Sequence, residues 1–362
     1  MGGRIRAAIV GVGNCASSFV QGIRYYADND PAGLMRDDIG GYKVSDIDVV
    51  LAFDIDRRKV GQPLSEALKA PPNCVSHAHI DPITSPVVRM GKVLDGLPPM
   101  MSDPRWLDGE RFLLAADAEP SRDDVVRELR ESRADVLINY LPVGSQKATE
   151  FYVECCLEAG THLLNCIPVF IASDPAWASR FAAKGLVVVG DDMKSQFGAS
   201  VLSQALEELA GARGHAVQCH IQRNIGGNTD FLNMMDPARL RCKKISKENV
   251  LRSARAGGDG FVHAGPSEYI SYLKDTKVAN IHMELTGFMG APVTLDAQLT
   301  VQDSPNSAGV VADALRYLKV AAELGARGPL HGPSSFTQKT PPSSLSLDEA
   351  QRQCAALARR EL

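Results

Sequence analysis

The 362-residue sequence carries no large excess of charge, no Cys-x-x-Cys pair, no apolar run of membrane-spanning length, no internal repeat and no low-complexity tract. Each absence removes a class. With 39 Lys and Arg against 43 Asp and Glu, interspersed, the formal charge of −4 gives no signature of nucleic-acid binding or of an acidic tail, and any basic cluster must be local. Of the eight cysteines, only Cys155 and Cys156 are adjacent, in a helix-like stretch where a bridge would be strained, so reduced thiols are expected. Met1 to Arg6 runs into a strand without a cleavage site, so the expectation is a cytoplasmic protein with neither membrane nor nucleic-acid partner.

What is present suits a globular protein of about two domains, since the 44% apolar fraction supplies a sizeable core and the length exceeds one compact unit. Arg4 to Val10 reads as a strand, followed by GVGNCASS and an apolar-periodic helix from Ser17 to Tyr26. Ile47 to Phe53 reads as a second strand, with Asp56-Arg57-Arg58-Lys59 opening the next helix. Strands at Val136–Leu141, His162–Cys166 and Leu186–Val189 alternate with helices such as Arg122–Glu131 and Gln146–Ala159, which indicates an α/β, doubly wound and mostly parallel sheet. After about Ala210, the segments Val217–Gln222, Val278–Leu285 and Val293–Val301 suit a second, mixed or antiparallel sheet. The helix Ser307–Gly325 then returns to the first unit if the second is an insertion.

Gly11-Val12-Gly13-Asn14-Cys15-Ala16 fits G-x-G-x-x-G/A between strand and helix. The first glycine turns tightly, the second admits a pyrophosphate to the backbone, and the helix start offers N–H donors. A purely structural turn is the competing reading. Asp54, at the end of the second strand, stands where an acid grips the adenosine ribose, with Asp56 as runner-up. It comes about 40 residues after the turn rather than the usual ~20, so an insertion occupies about residues 29–42. No arginine directly follows Asp54, which favours NAD over NADP, although Arg57 and Arg58 are near. Pro142, Gly144 and Ser145 lie in a loop at the carboxyl edge of the sheet.

Three further segments concentrate polarity: Gly190-Asp191-Asp192-Met193-Lys194-Ser195-Gln196 after a strand, the glycine hairpin with Asn228 and Asp230, and Lys243-Lys244-Ile245-Ser246-Lys247. Solvated loops and a solvated basic face are the plain alternatives. Lys243 and Lys247 share one helix face and repel unless an anion joins them. Lys277, Asp303 and Lys339 add charge between apolar segments, while His77 and His79 read as loop polarity rather than metal ligands.

Taken together, AIVGVGNCASS, LPVGS, PVFIASDP, GDDMKSQ, GGNTDFLNM, KKISK and DSPNSAG, in this order over nearly the whole chain, resemble the myo-inositol-1-phosphate synthase (inositol-3-phosphate synthase) family, actinobacterial type. The resemblance implies a Rossmann-type NAD domain (1–200), a catalytic and tetramer-forming α+β domain (201–300) and a return segment with a C-terminal tail (301–362). It implies conversion of D-glucose 6-phosphate to 1D-myo-inositol 3-phosphate by oxidation at C5, enolisation, aldol closure and re-reduction, with NAD recycled and a monovalent or divalent cation as a further expectation. In the implied roles, Lys243, Lys277, Lys339, Asp192 and Asp230 are catalytic, and Ser195, Gln196, Asn228 and Lys247 bind the sugar phosphate. Gly11, Gly13, Asn14, Cys15, Asp54, Pro142, Gly144, Ser145, Asp192, Lys194 and Asp303 surround the cofactor. Thr229 departs from many relatives. Cyclisation of fructose 6-phosphate to a five-membered cyclitol phosphate, a net sugar-phosphate dehydrogenase, and a silent NAD-binding scaffold stay open as alternatives.

Overall fold

The computed structural model describes residues 3–76, 86–239 and 260–362. Eleven strands lie among them: β1 (Ile5–Val10), β2 (Ile47–Asp54), β3 (Arg89–Met90), β4 (Val136–Asn139), β5 (His162–Asn165), β6 (Val187–Val189), β7 (Ala216–Gly226), β8 (Phe261–Tyr269), β9 (Thr276–Thr286), β10 (Pro292–Gln302) and β11 (Gly328–Pro329).

Seven of these form a parallel sheet in the order β11-β6-β5-β4-β1-β2-β3. Parallel strands covered on both faces must be apolar throughout, and β1, β4 and β6 are buried along almost every residue. On one face Phe19 of the helix Asn14–Asp28 packs with Val311, Leu315 and Leu318 of the helix Asp303–Glu323. On the other, Val125 and Leu129 of the helix Arg122–Glu131 meet Tyr152 and Val153 of the helix Gln146–Ala159. The strand order reverses between β1 and β4, and the crevice above that switch point is where open sheets of this kind bind ligands.

β10-β9-β7-β8 form a second, mixed sheet, antiparallel except for the β7–β8 pair. The helix Ala199–Ala212 covers one face, placing Leu202, Leu206 and Ala210 on Val217, Ile281, Met283 and Leu285. Among the described residues, no helix is long and apolar enough to cross a membrane.

Two local expectations are corrected. Residues 56–61 form turns rather than a helix, because the Asp56 carboxylate accepts from the N–H of Arg58 (2.9 Å) and of Leu113 (3.0 Å), a side-chain bond that competes with helical ones. The return helix begins at Asp303, four residues before the expected Ser307, and a proline in its first turn costs no helical bond. Residues 29–46 hold no long element, as the late position of Asp54 requires.

Candidate functional site

A single cavity runs from the glycine turn to the second sheet. It encloses about 1530 Å³ counting its open mouth. Its walls include Gly11, Gly13, Asn14, Cys15 and Asp54 at one end, and Ser195, Asn228, Asp230, Lys277, Asp303 and Lys339 at the other.

At the first end, Gly11 adopts φ +94°, and a Cβ there would stand 2.6 Å from the Tyr140 carbonyl oxygen, so glycine is required by both conformation and space. The helix Asn14–Asp28 has Gly13 as its N-cap, with no side chain to satisfy the first-turn N–H groups, which leaves them for an anion. Asp54, buried, accepts from the N–H of Val12 (2.7 Å), Ile55 (2.7 Å) and Asp56 (2.9 Å). Its carboxylate therefore fixes the turn as well as facing the cavity. Burial pushes the Cys15 thiol up to about 12, so it stays protonated beside Ser307. Met101, Phe112, Ile55 and Tyr152 add an apolar wall suited to a flat ring.

Pro142 and Val143 line the cavity, whereas Gly144 and Ser145 stand behind it. The Gly144 backbone, at φ +85°, packs on the Arg239 side chain, and the Ser145 hydroxyl donates to the Pro142 carbonyl at 2.6 Å. Arg239 and Asn233 both donate to the Val143 carbonyl, tying this loop to the second unit.

The Gly190–Gln196 loop divides its polar groups. Asp191 is fully buried and accepts from Asn165 Nδ2 (2.7 Å), the N–H of Ile171 and Ser173 (both 3.0 Å) and Ser173 Oγ (2.8 Å); burial nonetheless raises its carboxyl to about 6. Asp192, also fully buried, pairs with Lys339 at 3.0 Å, and Lys339 Nζ also donates to the Met193 carbonyl at 2.5 Å. Lys194 points away to the Ser335 carbonyl at 2.9 Å, with its ammonium lowered to about 8 by burial and by Lys339. Gln196 donates to the Gly33 carbonyl at 2.8 Å and lies over Gly309, off the cavity wall, whereas Ser195 is on it.

Asn228 is the hub of the far end. Its carbonyl caps the helix Thr229–Asn233 through the N–H of Asp230 and Phe231, and its amide donates to Asp275 at 3.2 Å and Asp303 at 3.5 Å. Lys277, opposite Val301 on the neighbouring strand, pairs with Asp303 at the first turn of the return helix. Asp275 accepts from Ser304 N–H (2.9 Å) and Oγ (2.6 Å); burial first, then the Asp303 charge, raises its carboxyl to about 6.

Sequence reasoning missed Lys59, Ser200 and Gln222, and took Asp275 and Asn224 only as members of the polar segments 274–277 and 224–233, without a role of their own. Ser200, Gln222 and Asn224 share the cavity wall, with Ser203 Oγ donating to Gln222 Oε1 at 3.0 Å and Gln222 Nε2 to Asn224 Oδ1 at 3.1 Å. Gln222 and Asn224 belong to the polar alternation of β7, which ordinarily marks a solvated face, and Ser200 lies in the first turn of the helix Ala199–Ala212. Lys243 and Lys247, with His77 and His79, lie outside the described residues. Among the described residues, no group of three His, Cys, Asp or Glu side chains is placed to hold a metal ion.

A family model described as myo-inositol-1-phosphate synthase matches residues 198–304, the stretch holding Asn228, Asp230, Lys277 and Asp303. The inositol-3-phosphate synthase of Mycolicibacterium smegmatis is 43% identical over 96% of each chain. That of Mycobacterium tuberculosis H37Rv is 44% identical over 96% of this chain and 94% of its own. The solved structure of a myo-inositol-1-phosphate synthase-related protein from Thermotoga maritima superposes with a TM-score of 0.81 at 26% identity, covering 98% of each chain. Likeness of this extent, spanning both sheets and the whole cavity, makes the chain an enzyme of the inositol-3-phosphate synthase family.

Proposed function

We propose that the protein is an NAD-dependent isomerase that closes D-glucose 6-phosphate into 1D-myo-inositol 3-phosphate. One observation carries the reading: the glycine turn with Asp54 and the Lys277 and Lys339 ion pairs open into one cavity. A dehydrogenase needs one acid–base group, whereas enolisation and aldol closure need cations for both proton transfer and a developing oxyanion.

The residues fit NAD. The uncapped helix start suits the pyrophosphate, Asp54 retains lone pairs for ribose hydroxyls, and the apolar wall suits adenine. Arg58 is committed to Asp56 and to the Asp108 and Arg111 carbonyls, so it is not free to take up a 2′-phosphate, which favours NAD over NADP. When bound, NAD supplies a reversible oxidation of the substrate carbinol.

The chain's own groups do the rest. Lys339, oriented by buried Asp192, presents an ammonium to an enolate or alkoxide oxygen, and Lys277, held by Asp303, stands at the same space. Asp230, Asn224 and Gln222 offer acceptors and donors to sugar hydroxyls, and Ser195 donates to phosphate. Lys243 and Lys247 join the site by the resemblance, as proton-transfer and phosphate-binding groups. Asp192 works through Lys339, and Gly144, Ser145, Lys194 and Gln196 support the walls rather than touching ligands.

The division into 1–200, 201–300 and 301–362 and a homotetramer belong to the same reading. Support for assembly comes from β10, an eleven-residue edge strand, with Phe288 and Met289 nearly 90% exposed at its β9 turn. The product formed from glucose 6-phosphate and NAD, identified by NMR, tests the function. An inositol phosphate supports it; inert glucose 6-phosphate with fructose 6-phosphate converted to a five-membered cyclitol phosphate replaces it.

A further inference from the structure

We infer that Lys59 is a positioning residue for the dinucleotide turn, a buried counter-charge that shapes the phosphate cradle without touching the cofactor. The inference rests on the NAD reading above. Lys59 lies completely buried beneath the turn. A buried ammonium is costly unless its donors are placed, and these are. Nζ donates to the Val12 carbonyl at 2.7 Å and to Asn73 Oδ1 at 3.0 Å, stands 4.0 Å from Asp54 Oδ2, and faces the Phe112 ring at 5.7 Å.

The position of that carbonyl is what matters. Val12 is the residue between the two glycines; its N–H goes to Asp54 and its C=O to Lys59, with Asn73 Nδ2 sharing the carbonyl at 3.2 Å. Both backbone polar groups of the turn are thereby held, and the peptide leading into Gly13 can present its donors in one orientation only. The second consequence is electrostatic. Asp54 brings a carboxylate to a wall that must receive phosphates, and Lys59 lies close enough to offset it. Burial pulls the Lys59 ammonium below its usual range, while Asp54 and Asp56 raise it and Arg58 lowers it. The neighbouring Cys74 N–H donates to Asn14 Oδ1 at 2.7 Å, so the segment that carries Asn73 is tied to the start of the helix after the turn as well. The carbonyl that Lys59 holds is the one between the two glycines of the motif.

Calorimetric titration with NAD tests this on the full chain. Lys59→Met is expected to raise the Kd for NAD about tenfold or more, the scale of losing a charged hydrogen bond, while kcat at saturating NAD stays within about threefold. A merely structural lysine would not produce that split. Unchanged affinity in a folded variant, with the parent binding NAD, overturns the inference alone; a parent that binds no NAD overturns the functional reading with it. If Lys59→Met does not fold, Asn73→Leu decides: weaker NAD binding supports the inference, and unaltered binding contradicts it.

Discussion

Lys339 and Asp192 meet twice: Nζ lies 3.0 Å from Oδ1, and the Lys339 N–H donates to the Asp192 carbonyl at 2.7 Å. The segments 190–196 and 337–340 are thus stitched together, and the lysine head is aimed by a carboxylate that does not itself line the cavity.

Removing the head should therefore cost more than removing its guide. Lys339→Ala is expected to lower turnover by about 10²–10⁴-fold, the range of a lost acid–base or oxyanion group, and Asp192→Asn by about tenfold to a hundredfold. NAD affinity by calorimetry should move little in either. Loss of NAD binding in Lys339→Ala would mean that the lysine belongs to the cofactor end.

Lys277 and Asp303 pair across the junction of β9 and the return helix. Steady-state kinetics of Lys277→Ala, Asp303→Ala and the double variant should show that the losses do not add, with coupling of about 0.5–3 kcal/mol expected for contacting residues. Additive losses would mean that the pair does not act as a unit.

Asp275 predicts a pH effect on stability. Its carboxyl is raised from 3.8 to about 6, so the folded chain holds a proton that the unfolded chain releases between these values. Stability from this group is full below about pH 4 and is lost as pH rises through about 6, by an amount on the order of 1–3 kcal/mol. Thermal melts should show Asp275→Asn gaining on the parent between about pH 4 and about pH 7. A constant difference across that window would refute the assignment.

Gly11→Ala should fail for a steric reason, because its Cβ would meet the Tyr140 oxygen at 2.6 Å in a conformation alanine avoids. A loss of about 1–3 kcal/mol of stability and weakened NAD binding are expected, read by melting and titration.

The sequence revealed the parallel sheet because buried parallel strands are apolar runs and their helices carry ordinary periodicity. β8 escaped notice because Gly265 and Pro266 interrupt it, both unfavourable inside strands. The polar wall on β7 was invisible for a different reason. Val217 faces inward, and a register irregularity between Val217 and Cys219 turns His220, Gln222 and Asn224 to the buried side, where alternation alone would have kept Cys219 and Ile221. Lys59 sat in a charge run that reads as a solvated helix start, and only the fold shows that the Asp56 turn swings it under Val12. Lys277, Asp303 and Lys339 were legible as charges, but their pairing needed the β9–β10 register and the return of the chain to the first sheet.

In the proposed reaction one cavity oxidises a sugar phosphate, closes its ring and restores the original oxidation level before product leaves. Glucose 6-phosphate deuterated at C5, turned over with unlabelled NAD, tests it most directly by NMR of the product and absorbance of NADH. The expected product is an inositol phosphate that keeps its deuterium, with no accumulation of NADH. Product lacking the label, accompanied by stoichiometric deuterated NADH, would contradict it.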